Sequence, residues 1–218
     1  MVRKPLKTFQ ENLQEVKNLL AIHSLTTGKS PGRRSPEIAV LNRSGIVLLV
    51  ACWEAFVEDL ADKTFSALLR GAPSPFYFPK SVQKLVAQSL RADPKELKLL
   101  NLAGDGWRSV FEQYKIEKNR GFIGGFNTPS AKNIDDLFAG LIGLPNLSKC
   151  WTWRTITPAD ARKRLTTLIK LRGDIAHRVK SRKTIHKSTV EQHLEFIQRL
   201  AEHSNYRVDR HLKDLTRR

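Results

Sequence analysis

The sequence predicts an all-α fold, a helical bundle with a long central helix and additional short helices, and three observations predict it. Apolar residues recur at helical spacing through most of the chain. Capping signals headed by Ser, Thr or Asp, several with Pro next in line, precede those runs. No stretch alternates with period two for long enough to make a strand, and no internal repeat is visible. One domain over residues 1–218 is expected, with its core from about residue 36 to 203, an N-terminal helix over 1–25 and a basic helix end over 204–218.

Phe9, Leu13, Val16 and Leu20 follow one another at steps of four, three and four, the stripe of a first amphipathic helix. Thr26 to Pro36 is turn-rich and basic. Ser35 as N-cap and Pro36 at the first helical position then start a second helix running to about Arg70. Its middle, from Ile46 through Trp53, Phe56 and Val57, is apolar nearly all round, which predicts the central helix, touched from several sides. Gly71 to Pro79 is Pro-rich and predicts an ordered loop that lays Phe76, Tyr77 and Phe78 on the core.

Shorter helices follow. Ser81 to Arg91 is one, Asp93-Pro94-Lys95-Glu96 is a capping box that opens another, and Asp105 caps a third through about Lys118. Arg120 to Thr128, rich in glycine, reads as a loop; Ser130 caps a helix over Ala131 to Leu141, and Gly143 to Thr155 is a connector carrying Trp151 and Trp153. Thr157-Pro158-Ala159-Asp160 is a second capping box. In the helix it opens, Ala161, Leu165, Leu168, Ile175 and Val179 share one stripe, with Arg172 filling the gap. A basic connector, Lys180 to Lys187, leads to the box Ser188-Thr189-Val190-Glu191 and a last helix with Val190, Leu194, Ile197 and Ala201 inward.

The chain has 218 residues, and its 38 Lys and Arg against 21 Asp and Glu leave a net charge of +17, which favours polyanionic partners, nucleic acid first and an anionic membrane face second. With 40% apolar and 27% charged residues, wholesale disorder is excluded. Two cysteines, Cys52 and Cys150, build neither a disulfide framework nor a four-Cys zinc site. The longest strongly apolar run, Gly45 to Trp53, is about half of the roughly 20 residues a bilayer span needs, so no membrane partner is expected. The opening Met-Val-Arg-Lys-Pro has no apolar leader core, and the expected location is a reducing cytoplasm.

The most informative segment is Arg172-Gly173-Asp174-Ile175-Ala176-His177. At about 100° per residue Arg172 lies on the apolar stripe, while His177 is roughly 140° around the helix, near Asp174. A guanidinium buried along an apolar seam requires an anionic partner, carboxylate or phosphate. One account is an ion pair with Glu54, Glu58 or Asp59 of the central helix, with His177 merely on the surface. The other is a site in which both cation-capable groups meet a phosphate.

Three segments in order, Arg43-Ser44-Gly45-Ile46-Val47-Leu48-Leu49-Val50-Ala51-Cys52-Trp53-Glu54-Ala55-Phe56-Val57, Asn127-Thr128-Pro129-Ser130-Ala131-Lys132-Asn133-Ile134 and Leu171-Arg172-Gly173-Asp174-Ile175-Ala176-His177, resemble the RiboL-PSP-HEPN group of the HEPN superfamily. The resemblance covers about residues 38 to 200. It implies an all-α homodimer that cleaves RNA without a metal or other cofactor, with the Arg-x-x-x-x-His motifs of two protomers meeting across a two-fold axis. RNA carries its own nucleophile, the 2′-hydroxyl. His177 would then serve as general acid or base and Arg172 would clamp the transition-state phosphate. Asp174 either orients the imidazole or only decorates the helix, and Glu54, acidic in related sequences, either supports Arg172 or takes part in the chemistry. Gly173 departs from the polar residue, often Asn, that follows the Arg in many active relatives. A silent module that binds RNA or a partner protein is therefore the alternative. The resemblance also suggests a toxin of a toxin–antitoxin or phage-defence pair, with a cognate antitoxin as partner.

Arg178, Lys180, Arg182, Lys183 and Lys187, with His186, follow the motif closely and suit RNA backbone phosphates, or equally a solvated basic turn. Trp151, Trp153 and Arg154 either stack bases or plug the core. Other patterns carry no chemistry. Thr27-Gly28-Lys29-Ser30 lacks the first Gly and the preceding strand of a P-loop. Gly121, Gly124 and Gly125 miss the dinucleotide spacing. His186 and His193 have no third metal ligand nearby. Cys52 stands in an apolar run, where a thiol behaves as a small hydrophobe.

Overall fold

The computed structural model describes residues 4–27, 36–91, 102–123, 129–177 and 184–217. Within them the chain forms seven α-helices: α1 (Lys4–Thr27), α2 (Pro36–Gly71), α3 (Lys80–Arg91), α4 (Trp107–Ile123), α5 (Ala131–Ile142), α6 (Pro158–His177) and α7 (Lys187–Thr216). Among the described residues there is no strand, only an isolated antiparallel bridge between Trp153 and Ile156. The fold is all-α. The described residues sort into two compact units, one of those within Val57–Cys150 and from Ser204 onward, the other of those up to Phe56 and within Trp151–His203.

In the second of these units the α1 stripe is buried at Phe9, Leu13 and Val16 and meets the first half of α2, where Ile46, Leu49, Val50, Trp53 and Phe56 are inside. Phe9 and Trp53 both pack on Phe56, with ring centroids 5.0 and 5.7 Å away, and Trp151 meets Trp53 edge-on at 6.1 Å. Trp151 is therefore a core plug. The α6 stripe closes this core at Ala161, Leu165 and Leu168, and α7 adds Val190, Phe196, Ile197, Leu200 and Ala201. Gly45 lets α2 and α7 approach closely, since a Cβ there would lie 3.0 Å from Val190 Cγ1. Asn42, buried on α2, donates to the carbonyl of Ile185 at 2.9 Å and so anchors the chain that leads into α7.

In the other unit α3, α4 and α5 pack on one another, with Val82, Phe111, Tyr114, Ile134, Leu137 and Phe138 inside. Arg108 satisfies the last carbonyls of α2 by donating to Leu69 and Ala72, the positions a helix end leaves without partners. The Lys115 ammonium, nearly buried, holds Asp62 at 2.9 Å and Glu112 at 2.6 Å. Burial pushes the Asp62 carboxyl up, but the hydrogen bond and charge of Lys115, with Lys63 beside it, outweigh that and hold it below the usual range.

Two capping expectations are met in detail. Ser130 Oγ accepts from Asn133 N, and Thr157 and Asp160 exchange reciprocal bonds at the start of α6. Others are corrected. Asp105 is not a helix cap: it lies inside a one-turn 3-10 helix, Gly104–Gly106, and α4 begins after it and continues to Ile123, through residues read as loop. The last helix starts at Lys187, so Ser188 is within it. Phe78 is buried, whereas Phe76 is 81% exposed. Ser35, the Asp93-Pro94-Lys95-Glu96 box and Val179 lie outside the described residues.

Over Ile38–Gly71, α2 is long and apolar enough to cross a membrane by length and composition alone, and half of that window is buried inside the protein. Its apolar side chains make the cores just described.

Candidate functional site

The Arg-x-x-x-x-His segment occupies the last turns of α6. Leu165, Leu168, Arg172 and Ile175 follow at steps of three and four, so Arg172 is carried on the buried stripe, and it is half-buried. Its Nε is shut off from solvent and has no hydrogen-bond partner among the described residues. Among the described residues no carboxylate lies within ion-pair distance of Arg172. The account that pairs Arg172 with a central-helix acid is thus corrected: among the described residues Glu54, half-buried on α2, makes no ion pair. A buried charged donor without an acceptor costs roughly 1–3 kcal/mol or more.

His177, the last residue of α6, is exposed, as is Asp174 one turn earlier. No hydrogen bond joins the two. A side chain at Gly173 would meet nothing, because an added Cβ finds no atom within 4 Å. Five residues separate Arg172 from His177, so they diverge by roughly 140° and about 7.5 Å of rise, and one helix holds them at different edges of one surface.

Beside Ile175 an open apolar groove of about 450 Å³ runs along α2, lined by Val40, Arg43, Val47, Leu48 and Ala51. Val40 is 49% exposed. Of the basic residues expected to hold RNA, Arg178, Lys180, Arg182 and Lys183 lie outside the described residues. Lys187 is engaged within the fold, pairing with Glu191 at 3.4 Å and donating to Ser24 Oγ at 2.6 Å.

The family-model comparison decides the lineage, since the RiboL-PSP-HEPN model matches residues 7–209. The chain belongs to the RiboL-PSP-HEPN family. No curated protein and no solved structure matches it. Membership in this HEPN family supports an RNase or a nucleotide-binding module as the class of function.

Other candidates are settled by their surroundings. Cys52 is buried and its thiol is pushed up by that burial, while the Cys150 thiol is pushed up to about 12 by burial above all. Neither is a ready nucleophile. Among the described residues no three His, Cys, Asp or Glu side chains gather as a metal site would need. The sequence reading did not single out Arg164 and Arg199, which stack on Phe196 and Trp153 at 4.6 and 5.9 Å. Their sequence signal is faint, because each arginine reads as one more helix-surface cation and its aromatic partner is far along the chain or in a connector.

Proposed function

We propose that this HEPN protein is a metal-independent endoribonuclease that acts as a homodimer. The observation that carries the reading is the Arg172 guanidinium, half-buried, with Nε unpartnered, on the helix that ends in an exposed His177. A phosphate oxygen is an acceptor that fits such a donor, and the guanidinium fork matches the charge that grows on phosphorus as a fifth oxygen bonds to it. In the reaction the 2′-oxygen attacks phosphorus while a base removes its proton. The bond to the 5′-oxygen breaks, and an acid returns a proton to that oxygen. The products are a 2′,3′-cyclic phosphate and a 5′-hydroxyl. His177, whose side-chain type exchanges protons near neutral pH, takes the acid or base step. Asp174 and Glu54 act on these groups only indirectly.

Two copies supply the site. The divergence of Arg172 and His177 around α6 leaves each helix with half of a phosphate cradle, and the apolar groove beside Ile175 offers a surface for a second chain. The net charge of +17 suits an RNA substrate. Neither cysteine is in a disulfide, in keeping with a reducing cytoplasm, and the role this reading assigns is that of a toxin restrained by a cognate antitoxin.

A silent RNA- or protein-binding module is the second reading, favoured by Gly173, where the side-chain space beside Arg172 is empty. Incubation of total RNA with the protein in EDTA separates the two. Cleavage to cyclic-phosphate ends by the wild type, reduced about 100-fold or more in both Arg172→Ala and His177→Ala, is the expected result. Equal RNA profiles for all three proteins overturn the nuclease reading.

A further inference from the structure

A second groove lies at the other end of α6, in the same compact unit as the motif. It has a volume of about 530 Å³ and is walled by the Trp153–Ile156 turn, by Arg164 of α6 and by the first half of α7. Its chemistry is unlike that of the apolar groove beside Ile175. Three guanidinium groups, Arg154, Arg164 and Arg199, face a single carboxylate, Glu195, and that carboxylate is held by Arg199 at 2.9 Å. Arg164 lies over Phe196, with Cζ 4.6 Å from the ring centroid, and gives one hydrogen bond, Nη2 to the Gln192 carbonyl at 2.7 Å; among the described residues its other donors have no acceptor. Arg154 is exposed and makes no bond at all among the described residues. Trp153 is half-buried, seated against Phe196 and His203 at 6.1 and 5.5 Å, so its ring is fixed while part of it stays open.

A rigid, partly open indole beside uncommitted guanidinium groups suits a ligand that is flat at one end and anionic at the other. A nucleotide unit has that shape: the base stacks on the ring or on a guanidinium plane, and the phosphate takes the free donors. Arg164 precedes Arg172 by eight residues, so the two lie about 12 Å apart along the helix axis, close enough for one strand to touch both. We propose that this groove is a subsite for the RNA substrate, binding one nucleotide link of a single strand whose scissile phosphate lies at the Arg172 end of α6. The inference rests on the RNase reading above for its substrate, and its geometry is independent of that reading.

The test uses the full chain in EDTA and a short, labelled, single-stranded oligoribonucleotide with 2′-O-methyl riboses, which cannot be cleaved. Anisotropy titrations compare the wild type with Arg154→Ser and Trp153→Leu, and circular dichroism checks the fold of each. The expected result is affinity weakened about tenfold in either variant, as for loss of one stacked base or its phosphate contact. Arg154→Ser removes an exposed side chain that makes no bond among the described residues, so it decides the matter even where Trp153→Leu disturbs packing. Unchanged affinity in folded Arg154→Ser overturns the subsite. So does displacement of the strand by polyglutamate at equal charge, which marks a mere acidic-peptide site, or by a free mononucleotide at equal concentration, which marks a small-molecule pocket. Cleavage of unmodified RNA is read separately: its absence with Arg154-dependent binding defeats the nuclease and leaves the subsite, and its presence with Arg154-independent binding does the reverse.

Discussion

Among the described residues, Arg172 Nε and His193 Nδ1 are buried without a hydrogen-bond partner for opposite electrostatic reasons. Arginine cannot shed its proton, so its orphan donor waits for an anion. His193 sheds its charge instead: burial first, and the positive Arg164 second, bring its pKa down to about 4. Glu195 and Arg199 also line its groove. Because the unfolded imidazole titrates near 6.5, the unfolded chain binds the extra proton first as pH falls. This contribution to stability is therefore full at neutral pH and is lost between about pH 6.5 and pH 4. A His193→Gln variant should show a flatter loss of Tm over that interval than the wild type, measured by thermal unfolding in a pH series, and parallel curves would refute the assignment. Gly173 poses a different question. Its neighbourhood admits a side chain, and Asn costs a helix slightly less than Gly, so Gly173→Asn should keep or slightly raise Tm. If the missing polar group limits the nuclease, the same variant should cleave RNA several-fold faster in a timed assay.

At the level of helices, what could be read in the sequence was what is locally determined. Ser130 and the Thr157 to Asp160 box cap where they should because the donor and acceptor are within three residues of each other. Asp105 misled for the same local reason, since Gly104, with φ of +56°, and Gly106 tighten the chain into a 3-10 turn that postpones the helix to Trp107. Gly121 did not stop α4, because the roughly 1 kcal/mol cost of one helical glycine is small against the packing of Trp107, Phe111 and Tyr114. Phe76 faces solvent because successive residues of the 3-10 turn Pro75–Tyr77 point about 120° apart, so its rings cannot all turn inward. The α6 stripe placed Arg172 correctly, but whether an acid stands opposite it depends on tertiary packing, and no spacing rule reports that. The close approach of α2 and α7 at Gly45 belongs to the same class. Gly45→Val would drive a branched side chain into Val190, and a loss of about 1–3 kcal/mol in denaturant unfolding is expected, with a stability equal to wild type counting against the tight crossing.

For the whole molecule, the nuclease reading makes activity a property of the pair. An Arg172 and a His177 carried on one helix face different edges, so under that reading a phosphate gripped by one copy's guanidinium would be served by the other copy's imidazole. Two consequences can be measured. Specific activity should rise with protein concentration until dimers dominate and fall on dilution, whereas a site complete within one chain would hold it constant. The apolar groove along α2 is the surface through which that pairing would occur, and Val47 lines it, half-buried. Val47→Glu would bring an unpaired carboxylate into the joined surface from both copies, at a cost of several kcal/mol per dimer, while leaving each chain's core untouched. Light scattering should then report a monomer with wild-type helicity, and RNA cleavage should disappear with the dimer. A Val47→Glu protein that is monomeric yet fully active would show that one chain holds the entire cradle, and the paired geometry of Arg172 and His177 would have to be abandoned.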